Sequence, residues 1–294
     1  MAVTEGPSLI LLAAGRARRF GGIKPLAPVG PNGEAVIDLA VSDAVTAGFG
    51  HIVVVLNPET GPIIQEHISS SWPSWVTVSF ATQAVPRGTV DAVNAARDEV
   101  DRTLPFGVVN ADDLYGIDAL KTAVTTLSSS EANMLVGFRL DRAIFGPNAV
   151  TRGICEIEDG RLLSIRERRS VSRDGDHFVV NDGELPDVLD GDRVVSMNLW
   201  GFQPRMWDVL EWAMEDATDA SEEQEVLLPE LVGRLIAGEL DEQFPGLGEV
   251  IVATTTDQCV GVTHPDDLGS VQEEILAQIE RGQRQADIFA APEG

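Results

Sequence analysis

Lysine is almost missing from this 294-residue chain: only Lys24 and Lys121 occur, and arginine supplies the rest of the 21 basic side chains. Cysteine is as scarce, with Cys155 and Cys259 far apart and in no metal-like spacing. That scarcity argues against a disulfide framework and predicts two reduced, packed thiols. No apolar run nears the roughly 18 residues of a membrane span. The opening "MAVTEGPSLI" has no basic segment ahead of a long apolar one, so no secretion signal is expected and a cytoplasmic location is. Positive charge is the largest deficit: 47 acidic residues leave a formal net charge of −26. A field of that sign repels nucleic acid and anionic membrane, so neither is expected as a partner. It also repels a free nucleotide, so any anion site here needs positive charge gathered locally.

What is present begins with an apolar content of 44%, enough for a sizeable core. "SLILLAA" (8–14) and "HIVVVLN" (51–57) are short apolar runs without polar alternation, as in strands covered on both faces. Between them Ile37, Val41, Ala44 and Val45 share one helical face closed by Gly48. "WVTVSFA", a helix over 90–100, "PFGVVNADD" and "GIDALKTAVTTL" continue the alternation, which predicts a layered α/β domain. After about Ala143 the texture changes. "RGICEIEDGRLLSIRERRS" alternates at period two around Asp159-Gly160, a hairpin signal. Residues 171–192, rich in Asp, Gly and Pro, read as loop. "VVSMNLWGF" and "EVIVATTT" read as strands, and 206–217, 227–237 and 265–281 as helices. The tail "GQRQADIFAAPEG" reads as frayed or as a partner contact.

The first strand runs into "GRARRFGGIKPLAPVG". A Walker-type loop needs Ser or Thr after its lysine, and Pro25 follows Lys24. A dinucleotide fingerprint needs G-x-G-x-x-G opening into a helix, and Pro25 and Pro28 forbid that helix. What remains is a wrapped loop holding Gly15, Arg19, Gly21, Gly22 and Lys24. Glycines let backbone N–H groups close on an anion, while Arg19 offers a planar fork and Lys24 a compact charge. The same residues also make a surface turn with solvated arginines. At the end of the fourth strand "VVNADDLYG" places Asp112 beside Asp113. Carboxylates there suit Mg²⁺, which takes one or two protein carboxylates plus substrate phosphates, or they cap the next helix.

In the order "LLAAG…RRFGGIKPLAPVGPNGE", "AVPRGTVDAVNAA", "VVNADDLYG", "RGICEIEDGRLLSIRERRS", "VSMNLWGFQP" and "GVTHPDDL", the chain resembles the sugar-phosphate nucleotidyltransferases. The resemblance spans residues 9–268 and implies a three-layer α/β/α Rossmann-like nucleotide-diphospho-sugar transferase (GT-A-like) fold. It implies a mixed central sheet and a β-rich inserted lobe. The expected organisation is one domain over 1–281, with a nucleotide-binding half (8–142), a sugar- or acceptor-binding half (143–281), and a tail (282–294). Carried over, Leu12, Ala13 and Gly15 would wrap the nucleotide, with Gly21 and Gly22 in the same loop. Arg19 and Lys24 would hold phosphates, and Asp112 would bind Mg²⁺. Gln83 would read the base, with Gly88 and Thr89 bordering that pocket. Gly153, Glu167 and Asn198 would touch the sugar.

Departures from the pattern are Ala17 and Arg18 in the first loop and Val90-Asp91 after Thr89. A second metal ligand is expected near Thr263, where His264, Asp266 and Asp267 lie; Asp266 is the candidate, or a support for the helix start. His51, His67 and His177 read as solvent or packing residues. The activity implied is Mg²⁺-dependent transfer of a nucleotidyl group from a nucleoside triphosphate to a sugar 1-phosphate, with a homo-oligomer as a candidate assembly. Two alternatives stand beside it: transfer to a phospho-alcohol or alditol phosphate, and a nucleotide-binding module without turnover.

Overall fold

A computed structural model describes residues 6–15, 21–146, 148–217, 225–262 and 265–290. Its centre is a parallel set. β1 (Ser8–Leu12) pairs with β2 (His51–Leu56) on one side and β4 (Phe106–Asn110) on the other; β3 (Val78–Thr82) adds to β2. The crossovers carry α1 (Val36–Ala47), α2 (Gly61–Ser71) and α3 (Thr89–Ala95). β5 (Asp113–Leu114) leaves the sheet, and α4 (Ile117–Ser129) returns to β6 (Asn133–Arg139). The short α5 (Leu140–Ala143) leads into the antiparallel β7 (Val150–Glu158), β8 (Arg161–Asp174), β9 (His177–Val180) and β10 (Val188–Asp190).

β11 (Val194–Phe202) enters antiparallel between β4 and β6. Then come α6 (Met206–Asp216), α7 (Leu228–Ile236), β12 (Val250–Thr254) parallel to β6, β13 (Val260–Gly261) paired with β5, and α8 (Leu268–Glu280). The mixed sheet orders its strands β10-β9-β8-β12-β6-β11-β4-β1-β2-β3, with β7 bridging β11 and β8.

Alternation along the buried strands explains the layers. Leu9, Leu11, Ile52 and Val54 face one core with α1, α2 and α4, while Ile10, Val53 and Val55 face the other with α3, α6 and α7. Successive strand side chains point to opposite faces, so strands apolar throughout need helices on both sides. The expected α/β/α arrangement is therefore observed. Gly48, at φ 108°, closes α1 in the left-handed conformation its position predicts. Asp159 (φ 49°) and Gly160 (φ 74°) make the expected hairpin turn between β7 and β8. Both cysteines are free and buried. Among the described residues no helix is long and apolar enough to cross a membrane.

Four expectations are corrected. Residues 171–192 are not all loop: they hold the end of β8, β9 and β10. The helix after Gly88 stops at Ala95 rather than reaching 100, and the strand read from Trp75 begins at Val78. The described part of the tail, 282–290, packs on the body. Arg284 forks onto Asp43 at 2.6 Å through both nitrogens, and Phe289 sits against Trp72 and Trp75.

Candidate active site

The carboxyl ends of β1, β3 and β4 open onto a cleft of about 900 Å³ lined by Leu12, Gly15, Gln83, Gly88, Thr89 and Asp112. In an open α/β sheet this is the end where ligands bind, since loops there diverge to either side. Lys24 stands in a one-turn helix, Lys24–Leu26, with Pro25 at its start. From there it reaches across to Asp112, and its Nζ bonds Asp112 Oδ2. These two side chains lie 88 residues apart in sequence, and both stay partly open, at 19% and 28% exposure. Their meeting places a neutral ion pair on the cleft, with Lys24 the cation at that point.

The adjacent carboxylate does something else. Asp113 accepts from Asn110 Nδ2 at 3.1 Å, and its Oδ1 lies where a side chain on Gly261 would be, 2.2 Å from that ideal Cβ. Glycine at 261 is thus what lets β13 close on β5. Burial, followed by the charge of Asp112, pushes the Asp113 carboxyl up to about 6. Asp112 and Asn110 line the cleft and Asp113 does not.

Gly88 and Thr89 shape the cleft wall. Gly88 (φ 95°) meets the backbone of Val226 so closely that a Cβ would lie 2.4 Å from its carbonyl oxygen. Val226 N–H donates to Arg87 O at 2.9 Å, and Leu228 N–H to Thr89 Oγ1 at 2.7 Å. The clasp sets Glu225 and Leu227 on the rim. Gln83, 7% exposed, donates from Nε2 to Gly88 O and to Asp91 Oδ2.

Other expected residues lie elsewhere. The Ala13 side chain is buried in the core, while Ala14, one step along the alternation, lines the cleft. Gly21 and Gly22 are exposed and outside the lining, while Arg19, Ala17, Arg18, Thr263 and His264 lie outside the described residues. Asp266 is exposed in the turn before α8, away from the cleft lining, and its neighbour Asp267 is buried near Asn148. Gly153, Glu167 and Asn198 cluster together. Gly153 pairs with Glu167 and with Ser196, and Asn198 (φ 61°) sits in the β11 bulge. None of the three lines the cleft.

Tyr115, the chain's one tyrosine, was not singled out from the sequence. Its hydroxyl donates to Met197 O at 2.9 Å and accepts from Asn110 N–H at 3.1 Å. It therefore ties the Asp112 turn to the strand that bears Asn198. His67 lies 2.9 Å from Asp38 and His51 3.0 Å from Ser79, packing roles as expected.

The family model described as nucleotidyl transferase matches residues 9–234. The chain belongs to the nucleotidyl transferase family. Solved structures share the fold at low sequence identity. The inositol-1-phosphate CTP transferase from T. maritima is 14% identical, with a TM-score of 0.65 over 94% of this chain and 97% of that one. A Bacillus anthracis protein described as a glucose-1-phosphate thymidylyltransferase is 14% identical, with a TM-score of 0.64 over 91% and 94%. A UDP-glucose pyrophosphorylase with UDP-glucose is 14% identical, with a TM-score of 0.63 over 92% and 99%. No curated protein matches this nucleotidyltransferase by sequence.

Among the described residues no three His, Cys, Asp or Glu side chains gather into a metal site. The cleft offers two carboxylates, Glu225 on its rim and Asp112, which already holds a cationic group, beside Asn110. That donor set fits Mg²⁺, which takes one or two carboxylates and fills its shell from water and phosphate.

Proposed function

We propose that this nucleotidyltransferase joins a nucleoside triphosphate to a sugar 1-phosphate in a Mg²⁺-dependent reaction. The observation that carries the reading is the meeting of Lys24 and Asp112 on a cleft that also holds Gln83, Gly88 and Thr89. An oxygen of the acceptor phosphate attacks the α-phosphorus in line, the bond from that phosphorus to the bridging oxygen breaks, and pyrophosphate leaves. Chemistry of this kind needs positioning and charge neutralisation rather than a nucleophilic side chain. Lys24 exchanges its bond to Asp112 for phosphate oxygens, placing a fixed charge where negative charge builds. Arg19 would assist on the leaving pyrophosphate. Mg²⁺ held by Asp112 would supply charge neutralisation across the phosphate oxygens. Gly153, Glu167 and Asn198 form the acceptor side, which Tyr115 keeps in register with Asp112.

A phosphorylated polyol is a second acceptor reading, supported by the likeness to the inositol-1-phosphate CTP transferase. Pyrophosphate exchange over a panel of triphosphates, sugar 1-phosphates and polyol phosphates, with and without Mg²⁺, tests both. Exchange that survives chelation refutes the metal role, and silence across the panel refutes the reaction.

A further inference from the structure

The cleft shares Ala14, Gln83 and Pro86 with a recess of about 200 Å³ that opens behind the ends of β1, β2 and β3. Ala14, Pro58, Ala84 and Pro86 give it apolar walls; Asn57, Gln83 and Glu59 are its polar side chains. Narrow apolar walls with few polar groups suit a planar heteroaromatic ring, and those few groups decide which ring.

Their hydrogen-bonding capacity can be counted. Asn57 Nδ2 donates to Ala14 O at 3.1 Å and to Thr60 Oγ1 at 2.9 Å. Asn57 Oδ1 accepts from the backbone N–H of Glu59 and of Thr60, each at 2.9 Å. Two donors and two lone pairs are all an amide has, so Asn57 has nothing left for a ligand. Gln83 spends both Nε2 hydrogens, on Gly88 O at 3.0 Å and Asp91 Oδ2 at 2.9 Å. Both partners are pure acceptors, so the amide cannot reverse without setting oxygen against oxygen. Its Oε1 has no partner among the described residues, although the side chain is buried. Glu59 is an exposed carboxylate. The polar side chains of the recess therefore present acceptors and no donor.

Resting on the nucleotidyl-transfer reading above, we infer that the recess selects a nucleotide whose base carries an exocyclic amino group (cytosine, guanine or adenine) over uracil and thymine. Asp91 is the positioning residue that sets the preference. An amino group brings N–H donors to Gln83 Oε1 and the Glu59 side. Uracil and thymine bring one ring N–H flanked by two carbonyl oxygens, which would face the same oxygens. Pairing that ring N–H with Gln83 Oε1 would leave the flanking carbonyl oxygens with no donor from the side chains of the recess, the cost of an unmade hydrogen bond.

The test is equilibrium binding of CTP, GTP, ATP, UTP and dTTP with Mg²⁺ and no acceptor, read by calorimetry, alongside separate turnover assays. At least one amino-bearing triphosphate should bind about tenfold or more tighter than both UTP and dTTP, the scale of one such mismatch. Asp91→Ala should narrow that gap to within about threefold by leaving one Gln83 Nε2 hydrogen free to donate to a uracil or thymine carbonyl. Its effect should fall on KM for the nucleotide more than on kcat. Asp91→Asn, whose carbonyl oxygen can still accept from Gln83, should retain the gap. Binding of UTP or dTTP as tight as the best amino-bearing nucleotide overturns the inference and leaves nucleotidyl transfer standing. A wild-type gap that Asp91→Ala leaves intact overturns the role of Asp91. Failure to bind any of the five overturns the nucleotidyl reading itself. The wild-type ranking needs no variant, so a misfolded Asp91→Ala protein does not spare the base preference.

Discussion

Asp112 and Asp113 are neighbours in the chain with opposite surroundings. One faces Lys24 across the cleft; the other packs against Gly261 and is bonded to Asn110. The chain leaves the turn at Asp112 and enters β5 at Asp113, so the two carboxylates sit in different elements. Lys24→Ala and Asp112→Asn should each lower turnover by at least about a hundredfold, the scale of one preorganised charge contact. Both groups are partly exposed, so thermal unfolding should barely move. A folded variant with near-normal pyrophosphate exchange would remove that residue from the reaction. "NADD" in the sequence marked the place for a carboxylate site. Which of the two faces the cleft is not set by that motif: the resemblance singles out Asp112, and the contacts that divide the pair lie at Lys24 and Gly261, each far along the chain.

Among elements, the antiparallel extension shows how a segment that reads as loop becomes sheet. β9 and β10 have 4 and 3 residues, too short for pattern to identify. Arg168, 2% exposed on β8, holds the connection between them. It forks onto Asp182 at 2.7 and 3.0 Å and donates to Glu184 O and Pro186 O. The hydrogen bond from Arg168, ahead of its charge, holds the Asp182 carboxyl below the usual carboxylate range. A depressed carboxylate stabilises the fold fully above its unfolded value and loses that contribution as pH falls through the folded one. Arg168→Met should therefore lower Tm at pH 7, by roughly 5 °C or more, since it strands several acceptors in a buried place. The deficit should shrink as pH falls below about 4, where Asp182 of the unfolded wild-type chain takes up its proton ahead of the folded one. A deficit independent of pH, measured by scanning calorimetry, would mean that Arg168 acts through packing alone.

For the whole molecule two features matter, the clasped tail and the net charge. Asp43 and Arg284 are 1% and 4% exposed, and Ser42 Oγ donates to Ile288 O beside them. Arg284→Ala leaves Asp43 buried without its partner and should cost about 3 kcal/mol in denaturant unfolding. No change would mean that the tail lifts away freely in solution. The charge of −26 opposes an approaching triphosphate at long range, while the Lys24 contact acts at short range. Salt screens the distant repulsion more strongly than the close contact. The nucleotide association rate should thus rise between about 20 and 150 mM salt, read by stopped flow; a fall would mean that local positive charge dominates the approach.

The sequence by itself determined the layered architecture. Strands apolar on both faces, alternating with helices that carry an apolar stripe, have few ways to bury both surfaces other than α/β/α. It also determined the two segments that bear the cleft, because glycine, lysine and aspartate clustered at strand ends have local signatures. Only the tertiary structure decided the pairing of Lys24 with Asp112, the clasp of Val226 on Gly88, the seating of the tail, and the locked amide of Gln83. Each joins residues whose partners no local pattern names, and the energy of each resides in the contact rather than in either segment alone.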